Sequence, residues 1–156
     1  MALQQLFEYL LNKVPGVLSR ANTVDPFQSE EIDIAVANTR LNNGLACFPH
    51  LFLVECKNWA TPVDAASVAM LIDKLRNRHV ELGIMVTTKG ITGDPNSLRA
   101  AHHKVAMAQG DGRRVLVVTM DEVCKVATTD EFVDLLVDRL LFLIASGTSL
   151  SYGGRR

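Results

Sequence analysis

The chain has 156 residues, of which 48% are hydrophobic and 21% charged, and its formal net charge is −1. This composition is typical of a globular domain with its own core and excludes disordered, collagen-like and coiled-coil proteins. A protein that holds nucleic acid unaided carries a strong basic excess. Any nucleic-acid contact is therefore expected to come from a local patch, an oligomer or a partner chain.

The cellular compartment is indicated by what the sequence lacks. The first residues show neither the basic segment nor the small-residue cleavage site of a signal peptide. The most apolar stretch, residues 140–145, is too short to span a bilayer. Three cysteines, Cys47, Cys56 and Cys124, are odd in number and far apart, which favours a reducing compartment over a disulfide framework. We expect a cytoplasmic protein with no membrane contact.

The first third of the chain predicts one helix followed by three strands. Apolar residues recur at helical spacing over 3–11, and strands are predicted over 16–24, 32–38 and 51–57. The sequence Asn42-Asn43-Gly44 is a strong turn signal. We therefore expect the second and third strands to pair as a hairpin.

The rest of the chain alternates helices and strands. A helix is predicted to open with Thr61 as N-cap, Pro62 in the first turn and Asp64 completing a capping-box-like arrangement. The elements that follow are a strand over 83–88, a helix over 94–109, a strand over 115–120 and a helix over 129–147. This order predicts an α/β fold in which a mixed central sheet is flanked by helices on both faces. We assign 1–147 to a single domain and 148–156 to a flexible C-terminal tail.

Three charged residues stand at the ends of two apolar strands. Glu55 and Lys57 are two residues apart, so their side chains leave the strand on the same face, and Asp33 interrupts the preceding strand in a similar way. Buried charges are costly unless they are paired or bound to metal. If the two strands are neighbours, Asp33 and Glu55 converge on one point.

Two carboxylates and a lysine suit the cleavage of a phosphodiester bond. Mg²⁺ and Mn²⁺ prefer oxygen ligands, and Mg²⁺ is commonly held by one or two carboxylates together with water and substrate phosphate. Such an ion polarises the phosphate and lowers the pKa of a bound water. A lysine adds positive charge beside the attacking water.

The spaced set formed by Asp33 and Glu55-Cys56-Lys57 resembles the PD-(D/E)XK motif of the restriction-endonuclease-like superfamily. The string Phe52-Leu-Val-Glu-Cys-Lys-Asn-Trp59 is similar to the motif strand of its Mrr-type restriction nuclease branch, and the likeness continues to the strand over 83–90. It covers roughly residues 1–120 and implies the αβββαβ core of the family. Ile32 stands where the motif has its proline.

The resemblance also implies roles for individual residues. Asp33, Glu55 and the backbone carbonyl of Cys56 would bind Mg²⁺ or Mn²⁺, and Lys57 would position the attacking water. Glu8, on the first helix, falls where many members of the family place an auxiliary acidic residue.

Each of these assignments has a plainer alternative. Glu55 and Lys57 could form a solvated ion pair at a sheet edge, although the apolar run over 51–54 favours a central strand. Glu8 could be an ordinary surface residue of its helix. Trp59 could pack over the sheet edge, with stacking on a base as the alternative.

The positively biased residues offer contacts for a nucleic-acid backbone. Lys89 ends a strand near the proposed site, and Arg99, His103 and Lys104 belong to the predicted helix over 94–109. The alternative for the helix residues is a polar face with no ligand. The apolar stripe of the last helix is expected to dock on the sheet, with a homodimer or partner interface as the alternative.

The leading hypothesis is a Mg²⁺-dependent DNA endonuclease that serves as an effector in restriction or another defence against foreign DNA. A homodimer or a partner protein would supply recognition. The alternatives are a degenerate nuclease fold that acts as a nucleic-acid-binding or assembly module, and an RNA-cleaving or structure-specific nuclease. The intact set of Asp33, Glu55 and Lys57 argues against a degenerate site, because an inactive site has no physical reason to keep buried charges.

Overall fold

A computed structural model describes residues 3–58, 63–90 and 94–148 of the chain. In chain order its elements are α1 (Leu3–Lys13), β1 (Val17–Val24), β2 (Glu31–Asn38), β3 (Leu51–Lys57), α2 (Ala65–Asn77), β4 (Leu82–Thr87), α3 (Pro95–Gly110), β5 (Arg114–Thr119), α4 (Met120–Cys124) and α5 (Thr129–Ser146). No helix in this described part of the chain combines the length and the apolar character needed to cross a bilayer.

The five strands form one mixed sheet in the order β1-β2-β3-β4-β5. β1 pairs with β2 and β2 with β3 in antiparallel fashion, whereas β3, β4 and β5 run parallel. The parallel strands need crossover connections, which α2 and α3 supply. The predicted mixed sheet and the predicted pairing of the second and third strands are confirmed.

Two pairs of helices cover the sheet. α1 packs on β1, β2 and β3, α5 packs on β5, and the two helices meet where the rings of Phe7 and Phe132 lie edge to face at 5.4 Å. α2 and α3 pack against each other and against β4 and β5 respectively. The predicted α/β fold with helices on both faces is confirmed, and the stripe of α5 that includes Phe132 and Leu136 is buried as expected.

Gly83 lets α2 approach the sheet closely. A Cβ atom at this position would lie 3.1–3.2 Å from methyl carbons of Leu71 and Leu75 on α2. Because Gly83 has no side chain, these leucines pack directly over β4. Lys74, which precedes Leu75, is thereby carried close to the sheet and is itself buried.

The predicted start of the second helix is wrong. The Val63 N–H donates to the Gly90 carbonyl oxygen at 3.0 Å, so the chain at this point bridges to another loop instead of entering a helix. The helix begins at Ala65, and its N-cap is Asp64, whose carboxylate accepts the Ser67 N–H at 3.0 Å. Residues 61 and 62 lie outside the described residues.

One further difference concerns the second half of the chain. The short helix α4 was not predicted, because five residues are too few to show a helical period; it is fixed by a capping box between Thr119 and Glu122. Trp59 and residues 149–156, which include nearly all of the predicted tail, lie outside the described residues.

Gly83→Val is expected to destabilise the protein by about 1–3 kcal/mol, the usual cost of overpacking a core. The added methyl groups would press on Leu71 and Leu75 and push α2 away from β4. The free energy of unfolding from denaturant titration measures the effect. Gly110→Val is the control, because nothing lies within 4 Å of a Cβ at that position. Equal stabilities for the two variants would contradict this account of how α2 docks.

Candidate active site

The end of β2 is tied to β3 through the side chain of Asp33. The antiparallel register of the two strands runs from Ala37–Leu51 to Ile34–Val54. One residue further along β2, Asp33 Oδ2 accepts the Cys56 N–H at 2.8 Å. A carboxylate thus takes the bond that a backbone carbonyl would accept if the ladder continued.

The backbone of Asp33 is fixed as well. Its carbonyl oxygen accepts a hydrogen bond from Nε2 of Gln4 on α1 at 3.1 Å. With its side chain bound to β3 and its backbone bound to α1, the Asp33 carboxylate has a defined position. A preformed position is what a ligand to a metal ion requires.

Glu55 directly precedes Cys56 on β3. It is almost completely buried, with 7% of its surface exposed. Its Oε1 atom is 2.9 Å from Lys57 Nζ, and its Oε2 atom is 2.9 Å from Lys74 Nζ. Lys57 belongs to the same strand, whereas Lys74 reaches the site from α2. The two ammonium groups supply the pairing that a buried carboxylate needs.

The pKa of Asp33 is raised above its usual value, and the causes place it in the same electrostatic cluster. Burial is the largest cause of the raised pKa, and the negative charge of Glu55 raises the pKa further. The hydrogen bond from the Cys56 N–H and the positive charge of Lys74 act in the opposite direction and lower the pKa. The folded protein therefore disfavours the charged form of Asp33. A cation between the two carboxylates would relieve that cost.

Cys56 can contribute a backbone atom but not its thiol. Burial, with a smaller contribution from the nearby charges of Asp33 and Glu55, raises the pKa of the Cys56 thiol to about 12. A thiol that stays protonated is neither a nucleophile nor a metal ligand. Since the N–H and C=O of one strand residue point to the same side, the Cys56 carbonyl points toward β2, as its N–H does.

These donors fit a hard divalent cation. Two carboxylates and a carbonyl provide oxygen ligands alone, which Mg²⁺ and Mn²⁺ prefer, with water and substrate completing the shell. In residues 3–58, 63–90 and 94–148, no group of three or more His, Cys, Asp or Glu side chains is arranged to hold a metal ion. A site built wholly from protein side chains, as zinc uses, is therefore not present in this part of the chain.

Glu8, on α1, lies against the edge strand β1. The Ser19 hydroxyl of β1 lies 3.4 Å from Glu8 Oε1. The contact from α1 to Asp33 comes from Gln4, one helical turn earlier. The structure thus places Glu8 on the same helix as a residue that holds Asp33, and its carboxylate lies against β1.

The four basic residues predicted to contact phosphate fall into two places. Lys89 is exposed just after β4, at the end of the sheet where Lys57 lies opposite Thr87. The other three are exposed on α3; two of them, His103 and Lys104, line a cleft of about 310 Å³ between α2 and α3. Their exposure leaves all four open to solvent.

Lys74 was missed by the sequence reasoning, although a signal was present. It lies three residues after Leu71 and directly before Leu75, two apolar residues that are buried on this helix. A lysine at that spacing falls next to the stripe and is rarely buried without a partner. Which acid it would meet depends on how α2 docks on the sheet.

Comparison with known proteins identifies the family of this architecture. A family model described as a restriction endonuclease, Mrr_cat, matches residues 3–126. The chain belongs to this restriction endonuclease family. The resemblance to the Mrr-type branch of the PD-(D/E)XK nucleases is thereby confirmed, and the family is one of nucleases that act on nucleic acid.

The chain also resembles a solved structure at low sequence identity. A crystal structure titled as that of a protein of unknown function, AF1548, is similar over 92% of this chain and 76% of its own, with 12% sequence identity and a TM-score of 0.46. No curated protein matches the chain.

Asp33→Asn is expected to raise the melting temperature of the metal-free Mrr_cat domain at neutral pH. The amide keeps an oxygen that can accept the Cys56 N–H but removes a charge that the folded state disfavours. Because protonation of Asp33 has the same effect, the gain should shrink as the pH falls through the raised pKa. Thermal unfolding in a chelator, followed over a range of pH, measures both effects.

Asp64→Asn serves as the control for this comparison. Hydrogen bonds from Ser67 hold the pKa of Asp64 below its usual value, so neutralising that carboxylate should not raise the melting temperature. If Asp33→Asn lowers the melting temperature in the chelator, the conclusion that the folded state disfavours the charged form of Asp33 is wrong.

Proposed function

We propose that the protein is a Mg²⁺-dependent DNA endonuclease that acts as an effector in restriction or a related defence against foreign DNA. The observation that supports this most strongly is the geometry around Glu55. Its buried carboxylate is bound by Lys57 at 2.9 Å, and the adjacent Cys56 N–H is bound by Asp33 at 2.8 Å. These contacts involve all three motif residues on two neighbouring strands, which supports a common site.

In this proposal Asp33, Glu55 and the Cys56 carbonyl hold the metal ion, which is Mg²⁺ or Mn²⁺. When bound, such an ion supplies Lewis-acid activation of the phosphate and lowers the pKa of a bound water. Lys57 donates hydrogen bonds from Nζ to the attacking water and offsets the negative charge that develops on the phosphate. Burial of the surrounding groups strengthens these interactions by lowering the local dielectric.

DNA would be held by phosphate contacts from four exposed basic residues, Lys89, Arg99, His103 and Lys104. Four such contacts on a chain of net charge −1 give weak and salt-sensitive binding. We therefore propose that a second copy of the chain or a partner protein supplies the remaining contacts with DNA and the recognition of its sequence.

Lys57→Ala is expected to reduce cleavage of supercoiled plasmid by two to three orders of magnitude. Loss of one electrostatic group of this kind costs about 3 kcal/mol of barrier. Metal binding should persist, because Asp33 and Glu55 remain. Nicking assays with Mg²⁺, Mn²⁺ or a chelator, run beside metal titrations, measure the two properties separately. Lys125→Ala, at an exposed lysine on another element, is the matched control and should cleave like the wild type.

The substrates in the same assay distinguish the alternatives. Cleavage of RNA but not of duplex DNA would favour the RNA nuclease. Binding of DNA without cleavage under any metal condition would favour the degenerate binding module. Wild-type rates in a double variant, Asp33→Ala with Lys57→Ala, would show that the active-site assignment is wrong.

A further inference from the structure

Lys74 is a buried lysine for which the nuclease motif gives no role. It has 8% of its surface exposed and lies between Leu71 and Leu75, the two leucines that dock α2 over Gly83. Its Nζ atom is 2.9 Å from Glu55 Oε2. Taking a lysine out of water is costly, so its position needs a compensating interaction of comparable size.

The compensation comes from the two carboxylates that the proposed function assigns to the metal. Lys74 is in direct contact with Glu55, and its charge also acts on Asp33. With Lys57, the cluster contains two negative and two positive side chains, so its charges balance without any metal ion. A site with the same carboxylates and Lys57 alone would carry a net negative charge.

This balance affects how strongly the site attracts a cation. A divalent ion at Asp33 and Glu55 gains from their negative charges and is repelled by each ammonium group nearby. Lys57 is the lysine that the motif requires for the attacking water. Lys74 adds a second positive charge from a separate element and holds the Glu55 oxygen that Lys57 does not hold.

We propose that Lys74 is a built-in counter-ion that competes with the metal for Asp33 and Glu55. It stabilises the buried Glu55 carboxylate and the partly buried Asp33 carboxylate when no metal is bound, and it weakens the affinity of the site for divalent ions. The inference rests on the proposed function, since it takes Asp33 and Glu55 as the metal ligands. It makes Lys74 a positioning residue that acts through Glu55.

A purely structural role for Lys74 makes a different prediction. If the lysine only satisfied Glu55, its removal would lower stability and would leave the metal affinity unchanged or reduced, because Glu55 would be less well placed. If it competes with the metal, its removal lowers the stability of the metal-free protein and increases the metal affinity. The sign of the change in affinity separates the two roles.

The test is calorimetric titration of MnCl₂ into the metal-free protein in the absence of nucleic acid. Lys74→Met keeps the length and the apolar stem of the side chain but removes the charge. We expect the affinity of this variant for Mn²⁺ to be at least about tenfold higher than that of the wild type. Its melting temperature should be lower than that of the wild type in a chelator and should rise more on addition of Mn²⁺.

Three further variants keep the test interpretable. Lys74→Arg retains the charge and should bind Mn²⁺ with nearly wild-type affinity. Lys74→Gln keeps a hydrogen-bond donor for Glu55 without the charge and should reproduce the tighter binding if the Met variant folds poorly. Lys125→Met, at an exposed lysine that is not a member of the cluster, should leave the affinity unchanged.

The possible outcomes separate this inference from the proposed function. If the wild type binds Mn²⁺ and both uncharged variants at position 74 bind it equally or more weakly, the counter-ion role is overturned while the metal site stands. If neither the wild type nor any variant binds Mn²⁺, the metal site itself is overturned, and the inference fails with it.

Discussion

The burial of the Glu55 carboxylate at the end of β3 is the constraint on which the site depends. A carboxylate with 7% of its surface exposed has lost most of its water and must be compensated by other charges. The chain meets this demand with two lysines, Lys57 from the strand itself and Lys74 from α2. The ion pair of Glu55 and Lys74 therefore joins β3 to α2, which packs through Leu71 and Leu75 over the neighbouring strand β4.

The position of Asp33 is related to the change from antiparallel to parallel pairing that the sheet makes at β3. On one side β3 pairs with an antiparallel strand, and on the other with a parallel one. Beyond Ile34–Val54 the side chain of Asp33 holds the two antiparallel strands together in place of the backbone. At this point the Cys56 N–H points toward β2, and its carbonyl points to the same side of the strand. The proposed phosphate site at this end of the sheet agrees with the general placement of ligands at the carboxyl ends of parallel strands.

Much of this arrangement could be predicted from the sequence, because it depends on short-range patterns. The alternation of side chains along a strand is enough to put Glu55 and Lys57 on one face, and the hairpin signal makes the strand of Asp33 a neighbour. The parts that were missed depend on tertiary contacts. The partner of Lys74 is decided by the close approach of α2 over Gly83, and the start of that helix by the bridge from Val63 to Gly90. No local pattern encodes either contact.

Anomalous diffraction from crystals grown with Mn²⁺ would test the central claim most directly, which is that Asp33 and Glu55 form one divalent-cation site. The account predicts a single strong peak about 2.0–2.3 Å from a carboxylate oxygen of each residue and close to the Cys56 carbonyl oxygen. A crystal with high Mn²⁺ and no peak between these two carboxylates, or with its strongest peak on other side chains, would contradict it.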